Sequence, residues 1–136
     1  MKHPILLGYH VVAGMSDTVT GALLMAAPVF TLQLMHLAVP ADALPFLSFI
    51  GAFVLAVGLS YLYGAMLVRR GGCTSKIEAL WLVTAILRGS VAAYICAAVL
   101  SGALAPGWIV IALFDGACVT IQAAGLRRGW LLHGDC

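Results

Sequence analysis

The sequence predicts an all-α integral membrane protein, a four-helix bundle that forms one transmembrane domain over residues 1–136. Hydrophobic residues make up 63% of the chain, charged residues only 9%, and the mean hydropathy is +1.09. Soluble domains carry about 25% charged residues, so this chain has too few polar groups to cover a surface that faces water. In addition, the chain contains four apolar stretches of about the 20 residues that a helix needs to cross the hydrocarbon core.

The first predicted span covers residues 5–27 and ends where Pro28 interrupts the helix. Asp17 breaks its apolar run, which favours a retained helix over a cleaved signal peptide. In the next segment, residues 29–37, apolar residues recur at helical spacing with polar residues among them. We therefore expect a short interfacial helix after the first span.

Three further spans are predicted over residues 45–68, 77–100 and 107–126. The connecting segments, residues 69–75 and 101–107, are short and punctuated by glycine. Short connections join antiparallel neighbours, so consecutive spans should pack side by side.

The positive charges predict the orientation of the chain. Six of the seven Lys and Arg residues lie near the N-terminus, around the second loop or in the C-terminal tail: Lys2, Arg69, Arg70, Lys76, Arg127 and Arg128. The first and third loops contain no Lys or Arg. The positive-inside rule then places both termini in the cytoplasm.

Three ionisable residues are predicted near the bilayer midplane. At ~1.5 Å per residue, Asp17, Arg88 and Asp115 each lie roughly 16–18 Å from the cytoplasmic end of their helix. An ionised side chain at that depth costs about 2.5–3.5 kcal/mol, so we expect Arg88 to lie between the two carboxylates and neutralise them. We favour a network that stabilises helix packing, with a transport site as the alternative.

A second group of polar residues is predicted nearer the cytoplasm. His10 lies seven residues before Asp17 on the same helix face, and Tyr61 comes at a similar depth. Gln122 continues the polar face of the fourth span beyond Asp115. We interpret His10 and Tyr61 as a core pair, and the alternative is a quinone or polar pocket formed by His10, Tyr61 and Gln122.

Small residues line the predicted helix contacts. Gly14 and Gly21 flank Asp17 on the first span. A seven-residue repeat of small side chains follows one face of the second span, at residues 51, 58 and 65. Small residues let membrane helices approach closely, so we favour tight helix packing here over a ligand groove.

The absence of several sequence motifs argues against most functions of soluble enzymes. The four cysteines form no C-x-x-C pair, and the sequence has no phosphate-binding glycine loop and no H-E-x-x-H motif. We predict no catalytic residues, no metal site and no nucleic-acid partner. We also predict no cofactor held by this chain alone, and a lipid or a quinone remains open as a ligand.

Several short motifs resemble those of the DoxX-like small four-helix proteins of the bacterial inner membrane. They are Pro28 after a glycine-spaced helix, Phe49-Ile-Gly-Ala-Phe53, Gly58-Leu-Ser-Tyr-Leu62, a lone Arg88, and Phe114-Asp-Gly116. The resemblance implies a four-helix bundle without a catalytic motif, in some members associated with membrane redox enzymes. It also implies that Arg88 and Asp115 form the family's polar pair.

These observations favour a non-catalytic accessory subunit that packs against a larger redox or photosynthetic membrane complex. The partners would then be the lipid bilayer and other membrane subunits. One alternative is a small proton-coupled transporter or channel that acts as a dimer. The other is a quinone-binding membrane subunit of an oxidoreductase.

Overall fold

The computed structural model describes residues 3–71 and 74–131, and for residue 3 only the backbone. These residues form helices and turns and contain no strand. The chain divides into two compact units, residues 2–71 and 72–136. The all-α prediction is therefore confirmed for the described residues.

In the first unit, a long helix α1 (His3–Ala26) is followed by the short helix α2 (Pro28–Leu34). Pro28 occupies the first turn of α2, where its missing N–H needs no partner. A turn of 3-10 helix at Ala41–Ala43 then leads into α3 (Leu44–Arg69). A short helix is present where the interfacial helix is predicted, but it ends three residues before the expected residue 37. Its location at the membrane interface stays a prediction.

The early end of α2 has a local cause. His36 has a positive φ of 54°. The N–H of His36 donates to the carbonyl of Gln33 at 3.1 Å, and the N–H of Leu37 donates to the carbonyl of Leu32 at 2.8 Å. This pair of bonds is a Schellman motif, which closes a helix because its left-handed residue turns the chain away from the axis.

Glycine brings α1 and α3 into close backbone contact. A Cβ added at Gly21 would lie 2.7 Å from the carbonyl oxygen of Gly51, and one added at Gly58 would lie 2.9 Å from that of Gly14. No real Cβ atom tolerates such distances to backbone atoms. The small-residue faces of the first two predicted spans therefore pack against each other, as their seven-residue spacing indicated.

The second unit is also a pair of long helices. Helix α4 (Thr74–Leu100) is joined through a 3-10 turn at Pro106–Trp108 to α5 (Ile109–Arg127). The ring of Trp81 on α4 is fully buried and leaves room only for a glycine at position 125 of α5. Trp81 lies near the start of α4 and Gly125 near the end of α5. The two helices therefore pack closely at the ends that are predicted to be cytoplasmic.

Three helical segments of the described chain are long and apolar enough to cross a membrane: Ala41–Arg69, Thr74–Leu100 and Pro106–Arg127. They correspond to the second, third and fourth predicted spans, and they identify a membrane protein. Helix α1 has 24 residues, long enough at about 1.5 Å per residue, but it is not among the segments whose hydropathy is that of a membrane span. The four-span bundle stays a prediction.

Candidate functional site

An ion pair joins the two long helices of the second unit. Nη1 of Arg88 on α4 donates to Oδ1 of Asp115 on α5, and the two side chains are only 5% and 11% exposed. The guanidinium carbon of Arg88 also lies 5.3 Å from the ring centre of Phe114. The carboxylate and the aromatic ring together stabilise the cation where little water reaches it.

A pair of linked hydrogen bonds lies near this ion pair, one turn from Arg88 along α4 and two turns from Asp115 along α5. Nε2 of Gln122 donates to Oγ1 of Thr84 at 2.7 Å, and Oγ1 of Thr84 donates to the carbonyl of Leu80 at 2.8 Å. Both side chains are almost completely buried. Sequence reasoning missed Thr84, although its position four residues before Arg88 on the same helix face was the available signal.

The side-chain oxygen of Gln122, Oε1, is the remaining acceptor in this hydrogen-bonded group. It is buried and accepts no hydrogen bond from the residues that the structure describes. Cys118, between Asp115 and Gln122 on the same face of α5, is also buried. Asp115, Cys118 and Gln122 thus point into the packing surface of α5.

In the first unit, His10 lies against two tyrosines. The ring centres of His10 and Tyr61 are 5.8 Å apart, and Tyr9 lies 5.8 Å from each of them. The hydroxyl oxygens of Tyr9 and Tyr61 are 3.4 Å apart. Because His10 and Tyr61 are both fully buried, the three rings act as a packed contact between α1 and α3.

Tyr9 is the second residue that sequence reasoning missed. Its neighbour His10 was selected because it shares a helix face with Asp17 and lies at a depth similar to that of Tyr61. Tyr9 precedes His10 by one residue. A quinone site at His10 and Tyr61 stays a prediction, as does a contribution from Gln122, which belongs to the second unit.

Asp17 is buried in the first unit, with only 7% of its surface exposed. It lies on α1 between Gly14 and Gly21, the two glycines that contact α3. Of the predicted three-residue network, the structure shows the pair of Arg88 and Asp115. The participation of Asp17 stays a prediction.

The described residues contain no group of three His, Cys, Asp or Glu side chains that could hold a metal ion. The ion pair, the hydrogen bonds and the ring contacts described above can hold neighbouring helices together, and the buried carboxyl groups of Asp17 and Asp115 are titratable.

Comparison with models of protein families, with curated proteins and with solved structures finds no match to this chain.

Proposed function

We propose that this protein is a non-catalytic subunit that packs against a larger redox or photosynthetic complex in the bacterial inner membrane. In this proposal it is a DoxX-like four-helix bundle with both termini in the cytoplasm. Three apolar helices and the uneven distribution of Lys and Arg along the sequence support the membrane location and the orientation.

The ion pair in the second unit is the observation that carries the proposal. Arg88 and Asp115 bind each other between α4 and α5, and nearby Gln122 binds Thr84. Polar side chains that bond across a helix pair fix the register of the two helices, because slippage would leave charges unpaired in an apolar environment. This is the arrangement expected of a packing element.

The outward surfaces of the helices supply the second support. Large apolar side chains are exposed on α3 and α4, among them Phe46 (70%), Phe53 (60%) and Ile86 (60%). Phe49 and Phe53 form an edge-to-face pair on α3, with ring centres 5.0 Å apart. Such surfaces suit contact with lipid or with the apolar helices of another membrane subunit.

The test is extraction from native membranes in a mild detergent, followed by a native gel and mass spectrometry of the band that contains this chain. The proposal predicts that the chain migrates within a larger assembly. Migration as a monomer or dimer contradicts it.

Site-specific crosslinking sharpens this test. A photo-crosslinking amino acid at position 53 or 86 should form a discrete adduct with one other membrane protein. The matched control is position 112 on α5, where the native alanine is buried and only crosslinks within the chain are expected. Adducts with lipid alone at both outward positions would count against a partner subunit.

A second candidate function is proton-coupled transport by a dimer. The presence of the titratable Asp115 inside an apolar span favours it, because ionisable groups within membrane spans often belong to proton pathways. In this case Asp115→Asn or Asp17→Asn should abolish a pH-dependent flux into proteoliposomes without loss of helix content. Absence of such a flux in the native protein excludes this candidate.

A further inference from the structure

A groove lies between α1 and α3 of the first unit. Its volume is about 410 Å³, within the ~300–1,000 Å³ range of small-molecule sites. The groove is lined by Val11, Leu62, Ala65, Met66, Arg69 and Arg70. It therefore combines an apolar floor with two positive charges.

These two parts are arranged along the axis of α3. Leu62, Ala65, Met66 and Arg69 follow one another at intervals of three, one and three residues and share a helix face. Seven residues separate Leu62 from Arg69, which corresponds to a distance of about 10 Å along the helix. Arg69 is the last residue of both α3 and the apolar span, so the charges lie at its end and the apolar floor extends into the span.

The two arginines are available to a ligand. Both are exposed, and neither forms a salt bridge with another residue of the described part of the chain. Arg88, by contrast, is buried against its carboxylate partner. A guanidinium presents several N–H donors in one plane, which suits the oxygens of a phosphate.

We propose that this groove binds an anionic phospholipid. Its phosphate contacts Arg69 and Arg70, and the first part of one acyl chain lies along Val11, Leu62 and Met66. The order of groups in a phospholipid, anionic phosphate first and hydrocarbon next, matches the order of groups along the groove. Basic pockets between membrane helices on the cytoplasmic side are typical sites for anionic headgroups. The proposal rests on the membrane location and orientation proposed above, but not on a partner complex.

The test is native mass spectrometry of the detergent-solubilised full chain during titration with phosphatidylglycerol or phosphatidylcholine. The native protein should bind phosphatidylglycerol more tightly than phosphatidylcholine. In the double variant Arg69→Gln, Arg70→Gln, affinity for phosphatidylglycerol should fall by roughly ten- to thirtyfold, since each arginine near a membrane surface contributes about one factor of five. Affinity for phosphatidylcholine should stay unchanged.

A matched control removes the same charge elsewhere. The double variant Arg127→Gln, Arg128→Gln, at the end of α5, should keep the affinity of the native protein. An equal loss in this control would overturn the proposal, because binding would then depend on net charge rather than on the groove.

Two further measurements separate a lipid from a free anion. Met66→Trp places a large ring in the groove at a side chain that is already 36% exposed, and it should weaken binding of phosphatidylglycerol with both arginines intact. Excess inorganic phosphate should not displace the lipid. Displacement by inorganic phosphate, or unchanged binding in Met66→Trp, would show a simple anion site and overturn the proposal.

Discussion

At the scale of single residues, the few polar side chains inside the apolar helices are distinguished by their partners. Arg88 and Asp115 are both buried, and each neutralises the other. Removal of one partner leaves the other charge buried and unpaired, which is costly. Replacement of both by apolar residues leaves no buried charge. The two kinds of substitution should therefore differ sharply in stability.

The first prediction concerns this ion pair. Arg88→Leu should lower the free energy of unfolding by about 3 kcal/mol, because Asp115 then has no cation to neutralise it. The measurement is denaturation in mixed detergent micelles, with the loss of helix monitored by circular dichroism.

The control is the double variant Arg88→Leu, Asp115→Leu, which contains no buried charge at this position. It should be more stable than Arg88→Leu alone. A double variant that is less stable than the single one would refute the ion pair as the source of the loss.

The second prediction concerns Thr84. Thr84→Val keeps the shape of the side chain but removes the oxygen that accepts the hydrogen bond from Gln122. The free energy of unfolding should therefore fall by about 1–2 kcal/mol. Thr120 offers a matched control, because its hydroxyl also donates to a backbone carbonyl (that of Gly116, at 2.8 Å) but lies exposed. Thr120→Val should change stability little, and an equal loss in both variants would contradict the prediction.

At the scale of helices, glycine decides how closely α1 and α3 approach. Gly14, Gly21, Gly51 and Gly58 all lie where an added methyl group would meet the opposite helix. Gly8 lies on the same helix as Gly14 and Gly21, but nothing lies within 4 Å of a Cβ built there. The same substitution at these positions should therefore have opposite effects.

The third prediction compares these glycines. Gly58→Ala should destabilise the first unit by about 1–3 kcal/mol, because its methyl group would lie 2.5 Å from Oγ1 of Thr18 and force the helices apart. Gly8→Ala should be neutral or stabilising by up to about 1 kcal/mol, since alanine favours the helix and meets no neighbour. The same denaturation assay measures both. Equal effects at the two positions would show that helix propensity rather than contact governs this pair.

At the scale of the whole molecule, the sides on which the termini lie depend on whether α1 crosses the membrane. If it does, the chain has four spans and both termini lie on the same side. If only α3, α4 and α5 cross, the termini lie on opposite sides. The distribution of Lys and Arg favours the first arrangement.

The fourth prediction addresses this topology. An epitope tag at the N-terminus and another at the C-terminus should both be protected from protease in intact spheroplasts and both be cleaved after permeabilisation. A chain with three spans would leave the N-terminal tag exposed in intact spheroplasts. A tag inserted after residue 39, in the loop before α3, serves as the externally accessible control.

Helix positions could be predicted well from the sequence, and side-chain partners less well. The second predicted span, residues 45–68, differs from α3 (Leu44–Arg69) by one residue at each end. Helix α2, however, ends earlier than predicted because His36 takes a left-handed conformation, which helical periodicity does not signal. Tyr9 and Thr84 were missed because depth along a helix was the only guide to contacts across helices, and depth does not show which side chains meet.

By itself, the sequence determined that this is an all-helical membrane protein and where its long helices lie. Apolar composition and length decide both, because a chain in hydrocarbon must satisfy its backbone hydrogen bonds within each helix. Only the tertiary structure decided which side chains meet: Arg88 with Asp115, Gln122 with Thr84, and His10 with two tyrosines. Those contacts depend on how each helix is rotated about its axis and which neighbour it faces. In an almost uniformly apolar chain, hydrophobicity distinguishes these arrangements only weakly, and close packing at glycine and the pairing of buried polar groups select one of them.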